Sequence, residues 1–497
     1  FYGCSSLESI DLSNLDFSQV THMSYMISNC EKLEVVTLRN MNTSSLQRVN
    51  NLFSSCSSLK TIDLSNLDFS QVTDMTYMFS KCNNLINVKF GKINTSSIKT
   101  INNLFLDCTS LSLINLSNLD LSGVTDISYM FKGCTSLKYI NMKNTNTSSV
   151  TNMQYLLAGC SSLEEINLSH INFTKVKYMS YMFSDCKMLK IINFSNIVTS
   201  SLLKMNNLFS GCSSLESIDL SNIDFSTVTD ISYMFSNCIN LINITFGKIN
   251  TSSIQKMNGL FSSCSKLSSI DLSDFNFSKT TNVSSMFMSC VNLETLKISN
   301  ISKFAFENMN YFFSGCSKLE SIDLSNFNIF KVSDISYMFN GCSKLRNINF
   351  GNIDTSSIQQ MQNSFQGCKS LISIDLSNLN FSNTQDLSYM FNGCSNLTSV
   401  YFPIQKIPKI KKMNYLFYNC FNLISINLSS FDLSGVTDLS YMFSGCSNIE
   451  MVNFGKSYIS SVQKINRLFY GCSKLVSIDL SNLNSRSFTD MSDMFYG

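Results

Sequence analysis

The chain is 497 residues long, with 36 Lys and Arg against 34 Asp and Glu, a formal charge of +2 and only 14% charged residues. A balance so close to zero leaves no long basic surface for nucleic acid, and no apolar run reaches the roughly 18–20 residues of a membrane-spanning helix. Low charge, with Ser, Thr and Asn covering the surface, favours close lateral packing because self-repulsion is small.

Organisation comes from cysteine. All 19 cysteines fall on one column with a 26-residue step and no insertion or deletion: Cys4, Cys30, Cys56, Cys82, Cys108, Cys134, Cys160, Cys186, Cys212, Cys238, Cys264, Cys290, Cys316, Cys342, Cys368, Cys394, Cys420, Cys446 and Cys472. A fixed period of this size marks a solenoid, in which each repeat packs only on its neighbours. The expected organisation is therefore one continuous array over residues 1–497, of about 19 repeats.

The elements follow in order within one repeat. From Cys56 to Lys81 the apolar positions are Leu59, Ile62, Leu64, Leu67, Phe69, Val72, Met75, Met78 and Phe79, matched in the next repeat by Leu85, Val88, Phe90, Ile93, Ile98, Ile101, Leu104 and Phe105. Ile62-Asp63-Leu64 alternates and predicts a short strand with one buried face. Val72, Met75, Met78 and Phe79 make the stripe of a helix of about two turns, with Ser44, Ser45, Ser96 and Ser97 placed as N-caps. The expected fold is an α/β solenoid: a right-handed coil with a parallel sheet on one face and short helices or 3-10 turns on the other.

A second rhythm overlies the first. Odd repeats read SIDLSNIDFS…VTDISYMF, as at 217–235, and even repeats read NVKFGKINTSSI…INNLF, as at 87–105, so the unit is a 52-residue pair. Asp11, Asp63, Asp219, Asp271, Asp323, Asp375 and Asp479 then sit on odd strands, opposite Thr37, Lys89, Thr245, Lys297 or Asn349 on even ones. Alternation separates like charges that would repel on adjacent strands. The row is a solvated, charge-managed surface or, alternatively, a polar surface that recognises a partner or a divalent cation. One carboxylate every second strand falls short of the clustered oxygens a cation needs.

The cysteine column has three readings. Parallel Cα–Cβ vectors about 4.8 Å apart hold the Cβ atoms wider than a disulfide prefers, which favours a ladder of buried, reduced thiols behaving as small hydrophobes. Alternating disulfides and metal ligation are the others; the absence of a CxxC pair or nearby histidine speaks against zinc.

The stretch LESIDLSNLDF at 7–17 fits the leucine-rich repeat core LxxLxLxxNxL at Leu7, Ile10, Leu12 and Phe17, with Leu15 where that core has Asn. The pattern MFxGCSSLxSIDLSN, at 338–347, 390–399 and 442–448, resembles the BspA-like leucine-rich repeats of bacterial and protist surface proteins over the whole chain. That resemblance implies an extracellular or cell-surface solenoid, often adhesive, with no catalytic residues to carry over.

Nothing in the sequence assembles an active site. The only histidines, His22 and His170, neither recur nor stand beside a nucleophile, and no Gly-rich phosphate loop, metal site or cofactor motif is present. The irregular stretches are 290–315, with SKFAFENMNYFF, and 394–419, which holds both prolines, Pro403 and Pro408, and the basic cluster Lys406, Lys409, Lys411 and Lys412. The latter is structural drift at one turn or a docking patch for an anionic partner. Both ends enter and leave at almost the same repeat phase, as expected for a window of a longer array, or for head-to-tail contacts that grow as a filament. Two functions fit: a structural surface protein that assembles end to end or side by side, or an adhesin-type module that binds a host protein or glycan through the sheet face or the 394–419 patch.

Overall fold

The computed structural model describes residues 1–91, 94–117, 119–143, 145–298, 306–408, 410–456, 459–481 and 487–497. Ile93 therefore lies outside the described residues. The chain divides into two compact units, Phe1–Ser253 and Ile254–Gly497.

Each unit is a parallel β-solenoid. The first carries β1 (Ser9–Asp11), β2 (Val35–Thr37), β3 (Thr61–Asp63), β4 (Asn87–Lys89), β5 (Leu113–Asn115), β6 (Tyr139–Asn141), β7 (Glu165–Asn167), β8 (Ile191–Asn193), β9 (Ser217–Asp219) and β10 (Asn243–Thr245). The second carries β11 (Ser269–Asp271), β12 (Thr295–Lys297), β13 (Ser321–Asp323), β14 (Asn347–Asn349), β15 (Ser373–Asp375), β16 (Ser399–Tyr401), β17 (Ser425–Asn427) and β18 (Met451–Asn453). The central residue of each strand points inward and the outer two face solvent, as the alternation predicts; in β3, Ile62 is buried between exposed Thr61 and Asp63. Inside the coils lie Leu59, Leu64, Phe69, Val72, Met75, Met78 and Phe79, each no more than 1% exposed.

The 52-residue rhythm is a physical unit. Strands form ladders only in odd–even pairs: β1 with β2, β3 with β4, and so on to β17 with β18. Lys138 N–H donates to Ser112 O (2.9 Å) and Ile86 N–H to Lys60 O (2.8 Å). The corresponding bond from Ser112 back to Ile86, across the β4–β5 junction, is absent among the described residues. In four of the nine pairs an even-repeat glycine also brings the following turns together, while β1–β2, β5–β6, β7–β8 and β15–β16 pair with Arg39, Lys143, Ser195 and Pro403 at that position. At Gly91 (φ +66°) a Cβ would sit 2.5 Å from Ser65 Cβ, so only glycine lets the turn after β4 close onto the turn after β3. Gly247 on Ser221, Gly351 on Ser325 and Gly455 on Ser429 repeat that contact in three more pairs.

The expected helices do not form. Over 75–81, alternate amides leave the coil altogether: Met75, Tyr77, Phe79 and Lys81 N–H donate to the carbonyls of Thr100, Asn102, Leu104 and Leu106 at 2.7–3.3 Å. Between them, Met78 and Ser80 donate three residues back, to Met75 and Tyr77. Tyr77 (φ 57°) and Lys81 (φ 60°) are left-handed, a conformation that ends a right-handed helix wherever it occurs. The apolar stripe at 72–79 is thus a stack of turns whose periodicity imitates a helix. The one regular helical segment among the described residues is a 3-10 turn at Leu433–Gly435, capped by Asp432. Of the serines placed as caps, two tie coils together, Ser45 Oγ donating to Ser18 O (2.7 Å) and Ser97 Oγ to Ser70 O (2.6 Å), while Ser44 and Ser96 donate to Asn42 and Asn94 within their own coils.

Candidate ligand groove on the strand face

The turn side carries the cysteines. Eighteen of them, Cys30 through Cys472, are buried, Cys4 is exposed, and all are free thiols. Each donates to the preceding coil, as Cys82 Sγ does to Phe53 O (3.0 Å) and Cys134 Sγ to Phe105 O (3.1 Å). The Phe53 carbonyl also accepts the Cys56 amide (3.1 Å), so both its lone pairs are used. Beside this column the rings of Phe53, Phe79, Phe105 and Phe131 stack at 5.5–5.6 Å. Burial pushes the thiols up, Cys56 and Cys394 to about 12, which keeps them protonated and unreactive. Chemically the column is a core, and we assign it a structural role.

The basic cluster at 394–419 is largely spoken for. Lys406 pairs with Asp432 (3.1 Å) and Lys412 with Asp386 (3.4 Å), each from a neighbouring coil. Lys411 is exposed and Lys409 lies outside the described residues. Pro403 is buried, and Ile404 beside Lys406 is 95% exposed. Of the second irregular stretch, residues 299–305 lie outside the described residues, while Phe306, Phe312 and Phe313 enter the core.

On the strand face the odd-strand carboxylates are managed locally. Asp63 accepts from Lys89 of β4 (2.8 Å), and that bond, with those from Ser65, lowers its carboxyl to about 2. Asp271 faces Lys297 (3.7 Å), and Asp323 accepts from Asn349 (3.1 Å).

The pattern breaks from β5 to β8. Four consecutive coils carry Asn at the third strand position, Asn115 and Asn167 in place of the odd-strand Asp, and Asn141 and Asn193 on the even strands. Each amide oxygen accepts a main-chain N–H two residues on, from Ser117 (3.0 Å), Lys143 (3.1 Å), Ser169 (3.0 Å) and Ser195 (2.8 Å). Their NH2 groups make no hydrogen bond among the described residues, unlike that of Asn453, which donates to Asn427 (3.1 Å). Along the first strand position the same coils set Leu113, Tyr139 and Ile191 at 50%, 62% and 60% exposed, with Glu165 between the last two.

These rows border a groove of about 400 Å³ lined by Tyr139, Asn141, Lys143, Glu165, Asn167, His170 and Asn193. It lies across the β6–β7 junction, where the sheet is not hydrogen-bonded. A similar opening at the β12–β13 junction is lined by Lys297, Asp323 and Asn326. Of these two grooves, the one at β6–β7 has no carboxylate–lysine ion pair among its described lining residues. Sequence reasoning passed over it, although the signal was legible: the Asp row skips 115 and 167, and His170 replaces the Asn found at 66 and 222.

No curated protein matches the chain. Among solved structures it is similar to a leucine-rich repeat protein from Bacteroides ovatus ATCC 8483, at 20% identity and TM-score 0.46 over 82% of this chain and 88% of that one. It is also similar to a leucine rich cell surface protein from Faecalibacterium prausnitzii A2-165, at 19% identity and TM-score 0.36 over 80% and 83% of the two chains. A leucine-rich repeat protein from Eubacterium ventriosum ATCC 27560 aligns at 16% identity and TM-score 0.32 over 83% of each. Five successive segments, residues 1–114, 99–217, 203–320, 307–406 and 404–497, match the family described as "Mycoplasma protein of unknown function, DUF285", and the chain belongs to that family.

Proposed function

We propose that this chain is a non-catalytic recognition module of a cell-surface protein, holding its ligand on the strand face of β5–β8. The observation that carries the proposal is the local loss of repeat symmetry. A uniform fibre has no use for four coils in which the charged row becomes amide and exposed Leu113, Tyr139 and Ile191 take up the adjoining row. Large apolar side chains exposed on neighbouring coils beside polar ones, here interrupted by Glu165, mark an interaction site. The BspA-like resemblance of the repeat supports the surface location.

Light scattering and electron microscopy of the 1–497 chain test this against self-assembly. A recognition module stays a single chain at micromolar concentration, and replacing Leu113 and Ile191 with Ser leaves its mass unchanged. Ordered fibres that dissolve on those substitutions would overturn the proposal and make the row an assembly contact.

A further inference from the structure

We propose that the β6–β7 groove binds a neutral oligosaccharide, an inference that rests on the recognition role above and names its ligand class. Three features of the lining converge on it. First, Asn141, Asn167 and Asn193 offer donors: a main-chain amide at 2.8–3.1 Å fixes the orientation of each oxygen, and the NH2 groups make no hydrogen bond among the described residues. Second, Tyr139 presents a ring that is 62% exposed at the groove edge. Aromatic rings pack against apolar C–H surfaces while their hydroxyl stays wet. Third, the one cationic and the one anionic lining residue, Lys143 and Glu165, offset each other.

A ligand for this surface is uncharged, rich in acceptor oxygens and apolar on one face. A pyranose ring has those properties, with hydroxyls accepting from the amides and donating to Glu165, and C–H groups against Tyr139. Within the paired strands β7 and β8 the spacing of roughly 4.8 Å is close to the span of one such ring, so successive residues of a glycan meet Asn167 and Asn193.

The test is binding of the full chain to an array of neutral, sialylated and sulphated oligosaccharides. It is run beside a glycoprotein probe before and after enzymatic removal of its glycans. Two variants carry the reading. Asn167→Asp keeps the turn, since Asp219 holds Ser221 in the same way (2.9 Å), but replaces a donor with an acceptor. Tyr139→Ala removes the ring. Binding of neutral glycans that falls at least tenfold in both variants, with unchanged circular dichroism, is the expected result. Binding confined to acidic glycans overturns the inference. So does variant-sensitive binding that survives glycan removal, which would keep the recognition role and make the ligand a protein. Variant-insensitive binding moves the ligand off this groove and overturns both.

Discussion

The turn side and the strand side of the same coils obey different rules. On the turn side most coils repeat one pattern: a left-handed residue, a phenylalanine in a stack (Ile27 and Leu157 stand in its place in two coils), and a buried thiol bonded to the coil before. On the strand side the ladders of the described residues join odd–even pairs, with one main-chain bond, Ile424 N–H to Thr398 O (3.3 Å), crossing between pairs at β16–β17, and the outward residues change from Asp–Lys pairs to an amide row. Constraint is concentrated where side chains are buried and backbone donors must find a partner on the next coil. The proposed ligand site falls on the outward strand positions, whose side chains are not buried.

The difference is broken most severely by alkali. Thiols on the turn side have an ordinary value of 9.0, raised by burial to about 12 at Cys290 and Cys342. Below pH 9 the folded and unfolded chains both keep the proton, and stability is flat. Between 9 and 12 only the unfolded chain releases it, so each such thiol withdraws up to about 1.4 kcal/mol of stability per pH unit. Thermal melts should show a plateau that collapses above pH 9, and a melt unchanged at pH 11 would mean that the thiols are not buried.

A single charge in that column comes next. Cys238 donates to Phe209 O (3.1 Å) and is fully buried, so Cys238→Lys should cost about 3–5 kcal/mol in urea unfolding. On the other side, Asn167→Asp should cost under about 0.5 kcal/mol. Equal costs would erase the distinction between the two sides.

Between these lies the pairing of strands. Gly91→Ala should cost about 2 kcal/mol, because the new Cβ meets Ser65 while the residue remains left-handed. The loss should be accompanied by faster exchange of the Ile86 amide, which bridges β3 and β4.

How much of this was legible in the sequence depended on what each pattern encodes. The 26-residue column gave the solenoid, and Ile62-Asp63-Leu64 gave the strand, because burial and alternation are directly readable. Val72, Met75, Met78 and Phe79 misled. Their spacing records which residues point inward, and a stack of turns with left-handed Tyr77 points them inward as well as a helix does. Tyrosine carries no turn signal comparable to glycine's. The groove escaped attention for another reason. It is made of changes that each look conservative, Asp to Asn at 115 and 167, and only with Asn141 and Asn193 between and after them, beside Tyr139, do they acquire meaning.

The smallest effect is also the most local. The Lys138 amide is bonded to Ser112 within the β5–β6 pair, whereas the Ser112 amide faces the open β4–β5 junction. A hydrogen bond contributes about 1 kcal/mol net, so native-state exchange at Lys138 should be roughly fivefold slower than at Ser112 after correction for intrinsic rates. Equal protection would mean that the junctions close in solution and the strand side is one continuous sheet. The grooves would then close with them, and the amide row would have to bind its ligand on a flat surface. Unequal protection repeating every 52 residues would show instead that the spacing of the open junctions is set by the paired sheet, with the side chains at each junction deciding which of them can hold a ligand.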